Sequence, residues 1–284
     1  MESVMSNQEM RSAYQDVADL RLHYHEIGEG PAIIMLHGGG PGSSGLSNYK
    51  RNYTAFADRH RVIMLDLPGY GLSSKPRITE PLWGFMARAV AGFIDSLGLG
   101  SAHLIGNSLG GGTTLKLALS YPEKVGKFVL MGPAGGDVTT TGPTPGIKKI
   151  FTFYHPPGPS LEKLRGFVSE LVYDPNDLPD EVLKERLEAS LLPGAAENFP
   201  LLLRPEGPPK AEELWRDRLD EIPHPALIVW GREDKVNPLA QGEVLWRNIP
   251  NARLLVLPKC GHWAQWEKAD EFNRAVRDFL DHAV

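Results

Sequence analysis

Gly106-Asn107-Ser108-Leu109-Gly110 is a G-x-S-x-G pentapeptide, a pattern that can present a serine hydroxyl as a nucleophile. The bare pattern is weak, and its flanks raise it. The apolar run Ala102 to Ile105 precedes it, and Thr113 to Tyr121 reads as a helix after it. A serine on a sharp strand-to-helix turn needs small neighbours, because its backbone is strained and crosses closely packed elements. Gly106, Gly110, Gly111 and Gly112 supply them; the plainer alternative is a glycine-rich turn carrying a surface serine. A nucleophilic serine needs a base, and the base needs an orienting acid. His262, in Cys260-Gly261-His262-Trp263, follows the apolar run Leu254 to Leu257. Asp234, in Gly231-Arg232-Glu233-Asp234, follows Ala226 to Trp230. Both fall on loops at strand C-terminal ends, the sheet edge that also carries Ser108 and where an open α/β sheet places its site. The chain has nine histidines, so position and the order Ser, Asp, His single out His262. Glu233 is the rival acid, with a side chain expected to point away from its neighbour's. Asp66 also ends a strand, but it precedes the serine and reads as a brace for the adjacent turn.

His37-Gly38-Gly39-Gly40-Pro41-Gly42 follows an earlier apolar run. A loop there can aim one backbone N–H at a developing oxyanion, paired with the N–H after the nucleophile. The expected donors are Gly39, or its neighbour Gly38, and Leu109. A phosphate cradle is the competing reading, but no Lys-Ser/Thr follows as in a P-loop and the G-x-G-x-x-G spacing is not met. No His/Cys/carboxylate cluster has metal-ligand spacing, and Cys260 reads as a small buried apolar residue. Neither a metal nor a cofactor is called for.

These residues need a scaffold of strands and helices. Ala32 to Leu36, Val62 to Leu65, Ala102 to Ile105, Phe128 to Met131, Ala226 to Trp230 and Leu254 to Leu257 are short, continuous apolar runs. Such runs suit strands of a parallel sheet covered on both faces. Helically spaced segments lie between them, as at Phe85, Ala89, Phe93 and Ile94, and at Phe272, Val276, Phe279 and Leu280. The class is α/β, with an antiparallel edge hairpin expected over about Ala13 to Ile27. Of 30 glycines 21 fall between Gly28 and Gly136, whereas 13 of 24 prolines fall between Pro133 and Pro209. The alternation fails in that proline-rich stretch, which holds helical patterns at Leu161 to Val172 and Glu181 to Leu192. We expect a core over 1–135 and 210–284 with an inserted helical lid over 136–209. Within it, Arg186 shares the apolar side of its helix with Val182 and Leu183. That leaves two readings: a flank arginine reaching for water, or one aimed into a pocket to hold an anion.

Composition bounds the rest. A chain of 284 residues, 42% hydrophobic and 23% charged, is ordinary globular material with size enough for a full core. A net charge of −5 with dispersed Lys and Arg argues against a nucleic-acid or polybasic membrane surface. One cysteine excludes an internal disulfide framework and fits a reducing, cytoplasmic compartment. The start lacks the basic and apolar regions of a signal peptide, and no run approaches a membrane span.

Asp66-Leu67-Pro68-Gly69-Tyr70-Gly71-Leu72-Ser73, the Ser108 turn and the Asp234 and His262 loops together resemble the α/β-hydrolase superfamily. More narrowly, four segments resemble the meta-cleavage product hydrolases, which break a carbon–carbon bond in ring-opened aromatic compounds. They are His37 to Gly42 with Ser47-Asn48-Tyr49, Gly106 to Gly112, Gly231 to Asp234, and Cys260-Gly261-His262-Trp263-Ala264-Gln265-Trp266-Glu267. The last is the most specific, and the likeness spans about residues 20 to 280. The resemblance implies an α/β-hydrolase fold, mostly parallel, with helices on both faces and a helical lid. It implies Ser108 as nucleophile, His262 as acid/base, Asp234 as its orienter, and Gly39 and Leu109 as oxyanion donors. It further implies that Gly38, Asn48, Asn107, Arg186 and Trp263 hold a 2-hydroxy-6-oxohexa-2,4-dienoate, Arg186 taking the carboxylate. A homo-oligomer is expected from the family alone. The rivals are an esterase or a proline iminopeptidase of the same fold, and, in another class, a non-catalytic ligand receptor. The iminopeptidase would need acidic lid groups for a free amine, where this chain offers Arg186. Dehalogenases and epoxide hydrolases carry Asp at the position of Ser108.

Overall fold

The computed structural model describes residues 9–135, 142–210 and 212–282. Eight strands form one sheet: β1 (Arg11–Val17), β2 (Leu20–Ile27), β3 (Ala32–Leu36), β4 (Arg61–Leu65), β5 (Ala102–Asn107), β6 (Val125–Met131), β7 (Ala226–Gly231) and β8 (Ala252–Leu257). Their order is β1-β2-β4-β3-β5-β6-β7-β8. β1 and β2 pair antiparallel, as do β2 and β4, and every other pairing is parallel. The hairpin thus sits at one edge of a parallel sheet.

Period-two alternation along the central strands divides the core into two layers. Ile34, Leu36, Leu104, Phe128, Leu130, Ile228 and Trp230 face one side, where α2 (Leu82–Ser96) and α3 (Leu109–Ser120) pack. Ile33, Met35, Ile105, Val129, Met131, Leu227 and Val229 face the other. There the short α1 (Gly45–Tyr49) contributes Tyr49, and the C-terminal helix contributes Phe272, Val276 and Phe279. Burial on both faces explains why these strands read as unbroken apolar runs.

α3 starts four residues earlier than the sequence pattern suggests, so Gly110, Gly111 and Gly112 form its first turn rather than the loop before it. Contact overrides their poor helix propensity. A Cβ at Gly110 would collide with the backbone of Leu36, one at Gly111 with Pro133, and one at Gly112 with Trp83.

Between β6 and β7 lie α4 (Pro145–Thr152), α5 (Leu161–Leu171) and α6 (Asp180–Ser190). The chain returns to the sheet where the Leu214 N–H donates to the Gly135 carbonyl at 2.5 Å. α4 was not anticipated, although Thr144 caps its N-terminus and Pro145 opens it, both ordinary start signals. After β7 and β8 come α7 (Leu239–Asn248), α8 (Ala264–Glu267) and α9 (Ala269–Asp281). Among the described residues no helix is long and apolar enough to cross a membrane.

Candidate active site

Ser108 joins β5 to α3 at φ +50° and ψ −108°, a left-handed conformation that a non-glycine residue adopts only under constraint. Three backbone bonds impose it. The Ser108 N–H donates to the Met131 carbonyl, and its own carbonyl accepts from Gly112 and Ala134, all at 2.9 Å. A side chain at Gly106 would strike the Gly110 carbonyl, so the turn closes only with glycine there.

The loop after β3 lies against this turn. The Gly110 N–H donates to the His37 carbonyl at 3.0 Å. The His37 ring is locked: its Nε2 accepts from the Leu67 N–H at 3.0 Å, so Nδ1 carries the proton and donates to the Gly38 carbonyl at 2.8 Å. Burial pulls its pKa down to about 4, leaving a neutral brace. Tyr70 Oη donates to the Gly39 carbonyl at 3.1 Å. A Cβ built on Gly39 would stand 3.3 Å from the Leu109 Cβ, so the two expected N–H donors belong to neighbouring residues. Leu109 is the first residue of α3, where the N–H has no intrahelical acceptor.

Asp234 and His262 meet beyond the ends of β7 and β8. His262 Nδ1 donates to Asp234 Oδ2 at 2.7 Å, while Asp234 Oδ1 accepts from the N–H groups of Val236 and Asn237 at 2.8 and 2.9 Å. A carboxylate only accepts, so Nδ1 holds the ring proton and Nε2 is left as a base. Glu233 is turned away, with its carboxylate on the Cys260 N–H and Arg232. Glu267 accepts from Gly261, Trp263 and Tyr173 N–H groups and shapes the His262 loop. Burial pushes the Glu267 carboxyl up, against the downward pull of those bonds. The His262 N–H donates to the Leu171 carbonyl at 2.6 Å, tying this loop to α5.

Gly38, Gly39, Asn107, Ser108, Arg186, His262 and Trp263 line one cavity of about 10 Å³, room for about one water. Arg186 is 2% exposed, and its guanidinium lies over the Trp263 ring at 5.0 Å. Its Nη2 donates to the Pro41 carbonyl at 2.9 Å and to Ser43 Oγ at 3.0 Å, while Nε has no partner. No carboxylate among the described residues pairs with it. Burial lowers its pKa to about 10, which still leaves it charged at neutral pH. Of its two sequence readings, the arginine reaching for water is excluded. Asn107 Oδ1 is also buried without a partner. Asn48 lines an adjoining cavity instead, one that shares Arg186 and Trp263 with Ser108's own. Asp66 is a brace: it accepts from the Gly45 and Leu72 N–H groups and from His23 Nδ1 at 2.7, 3.0 and 2.8 Å.

The sequence reading missed the roles of His37, Tyr70, Asn237 and Glu267. His37, Tyr70 and Glu267 lie inside the motifs noted above, but the Leu67 N–H, Gly39 carbonyl and Tyr173 N–H that they bind lie 30, 31 and 94 residues away.

The sequence profile of the alpha/beta hydrolase family matches residues 33–275. A 2-hydroxy-6-oxo-6-phenylhexa-2,4-dienoate hydrolase of Comamonas testosteroni is 46% identical over 270 residues, 94% of this chain and 93% of that protein. A 2-hydroxy-6-oxononadienedioate/2-hydroxy-6-oxononatrienedioate hydrolase of Burkholderia vietnamiensis is 44% identical, covering 94% and 93%. Among solved structures, a meta-cleavage product hydrolase of Pseudomonas fluorescens superposes with a TM-score of 0.85 at 33% identity, over 95% of this chain and 97% of that one.

Proposed function

Because the chain belongs to the alpha/beta hydrolase family, with dienoate hydrolases as its relatives, we propose that it hydrolyses the C5–C6 bond of a 2-hydroxy-6-oxohexa-2,4-dienoate. The observation that carries this beyond the fold is Arg186. A buried guanidinium without a carboxylate partner is costly, and it becomes intelligible when a substrate supplies the anion.

In this reading Arg186, with Trp263 beneath it and Asn107 and Asn48 nearby, holds the dienoate carboxylate and enol end. Gly38 keeps the loop close, since a Cβ there would stand 2.8 Å from Asn107 Oδ1. His262 shifts a proton so that the dienol becomes its keto tautomer, which makes the departing carbon fragment a stabilised leaving group. Ser108, deprotonated by His262, attacks the C6 carbonyl, and the Gly39 and Leu109 N–H groups take the oxyanion. The C5–C6 bond breaks, and its electron pair delocalises to the C2 oxygen, which takes the proton held by His262; this releases 2-hydroxypenta-2,4-dienoate and leaves an acyl group on Ser108. Water then releases a carboxylic acid and restores the serine. Asp234 fixes the ring throughout and stabilises the imidazolium. A dienoate exceeds this cavity, so the site widens when it binds. We place the enzyme in the cytoplasm, a setting that the buried single cysteine Cys260 supports, and as a homo-oligomer on the family expectation alone.

Incubating the protein with a 6-phenyl dienoate should give equimolar 2-hydroxypenta-2,4-dienoate and benzoate. Turnover of neutral esters or aminoacyl substrates with the dienoate untouched would favour the esterase or iminopeptidase reading. Binding without turnover of any of them would favour the receptor.

A further inference from the structure

The relatives divide over the group at C6. One is named for a phenyl substituent, the other for a nonadienedioate, whose chain ends in a second carboxylate, and identities of 46% and 44% do not separate them. The lining of the Ser108 cavity does. It contains one permanent cation, Arg186. Its remaining side chains include the apolar Ile150, Phe167 and Leu171, all buried, and the insert's other buried apolar residues include Phe153, Leu164 and Phe199.

Of the other cations of the insert, Lys148 and Lys184 are exposed and the rest are committed elsewhere. Lys149 Nζ donates to the Gly166 carbonyl at 2.8 Å and to Glu170 at 2.6 Å, and Lys163 Nζ donates to the Phe153 and His155 carbonyls. Arg165 pairs with Asp180 at the surface, and Arg204 donates to the Glu197 carbonyl. Residues 1–8, 136–141, 211 and 283–284, outside the described set, include no lysine or arginine. Whichever carboxylate of a dienedioate Arg186 takes, the other is left among aliphatic and aromatic side chains. An unpaired carboxylate is not tolerated there without heavy loss of binding.

From this we infer that the C6 substituent of this protein's substrate is uncharged, an aryl or alkyl group, and that dienedioates are rejected. The inference rests on the reaction proposed above, and the test separates the two. The wild-type protein is assayed on 6-phenyl and 6-methyl dienoates and on 2-hydroxy-6-oxononadienedioate. The kcat/KM for the better uncharged substrate should exceed that for the dienedioate by about 100-fold or more. A dienedioate value within about tenfold of it would overturn the inference while leaving the reaction intact. Loss of none of the three would overturn the reaction and the inference with it.

Discussion

His262 and Asp234 meet through a single hydrogen bond, Nδ1 to Oδ2 at 2.7 Å, with the two side chains only 2% and 1% exposed. The other oxygen of Asp234 is held by two backbone N–H groups, so the carboxylate cannot rotate away from the ring. Asp234→Asn keeps the shape but can offer an N–H where the ring must donate, which favours the wrong tautomer. The dienoate kcat should fall by about 10⁴-fold, with the fold intact by circular dichroism. A fall of less than tenfold would mean that Asp234 does not orient the base.

Arg186 makes its hydrogen bonds to an uncharged carbonyl and an uncharged hydroxyl. Arg186→Leu should lower kcat/KM for the dienoate by about 100-fold or more, while a neutral ester of similar size loses less than about fivefold. Equal losses on both substrates would show that no carboxylate is held there.

Gly42, at φ +66°, lies directly against the backbone of Arg186, so that a Cβ would run into its carbonyl oxygen. Gly42→Ala therefore forces apart the oxyanion loop and α6, in addition to straining its own backbone. Destabilisation of about 2 kcal/mol or more is expected in urea unfolding. A neutral result would show that the loop and the insert are not in register as described.

His37 titrates well below an ordinary histidine because it is buried, at about 4 instead of 6.5. Between those values the unfolded chain binds a proton that the folded chain does not, so stability rises with pH across the window and is lost as pH falls toward 4. Fully developed, the contribution is about 3 kcal/mol. Urea unfolding from pH 4 to 8 should show a shallower slope for His37→Asn than for wild type. Parallel curves would remove His37 from the account.

Much of this was legible because the reactive groups sit where strands end. Ser108, Asp234 and His262 each follow a short apolar run, and one-dimensional order is enough to bring such ends to a common edge of a parallel sheet. The start of α3 was not legible, because glycine propensity argues against a helix there and only Leu36, Pro133 and Trp83 explain it. The direction of Arg186 was open for a similar reason: helix periodicity sets a face, but Pro41, Ser43 and Trp263 decide what that face meets. Asn48 shows the same limit, since it opens onto the cavity beyond Arg186 and not the one at Ser108.

The central claim is that Ser108 is the nucleophile that cleaves the carbon–carbon bond, and Ser108→Ala tests it most directly. Mixed with a 6-phenyl dienoate, this variant should bind the coloured substrate in stoichiometric amount and leave it intact, with turnover reduced by about 10⁴-fold or more. Release of 2-hydroxypenta-2,4-dienoate by Ser108→Ala at a rate within tenfold of wild type would contradict the account.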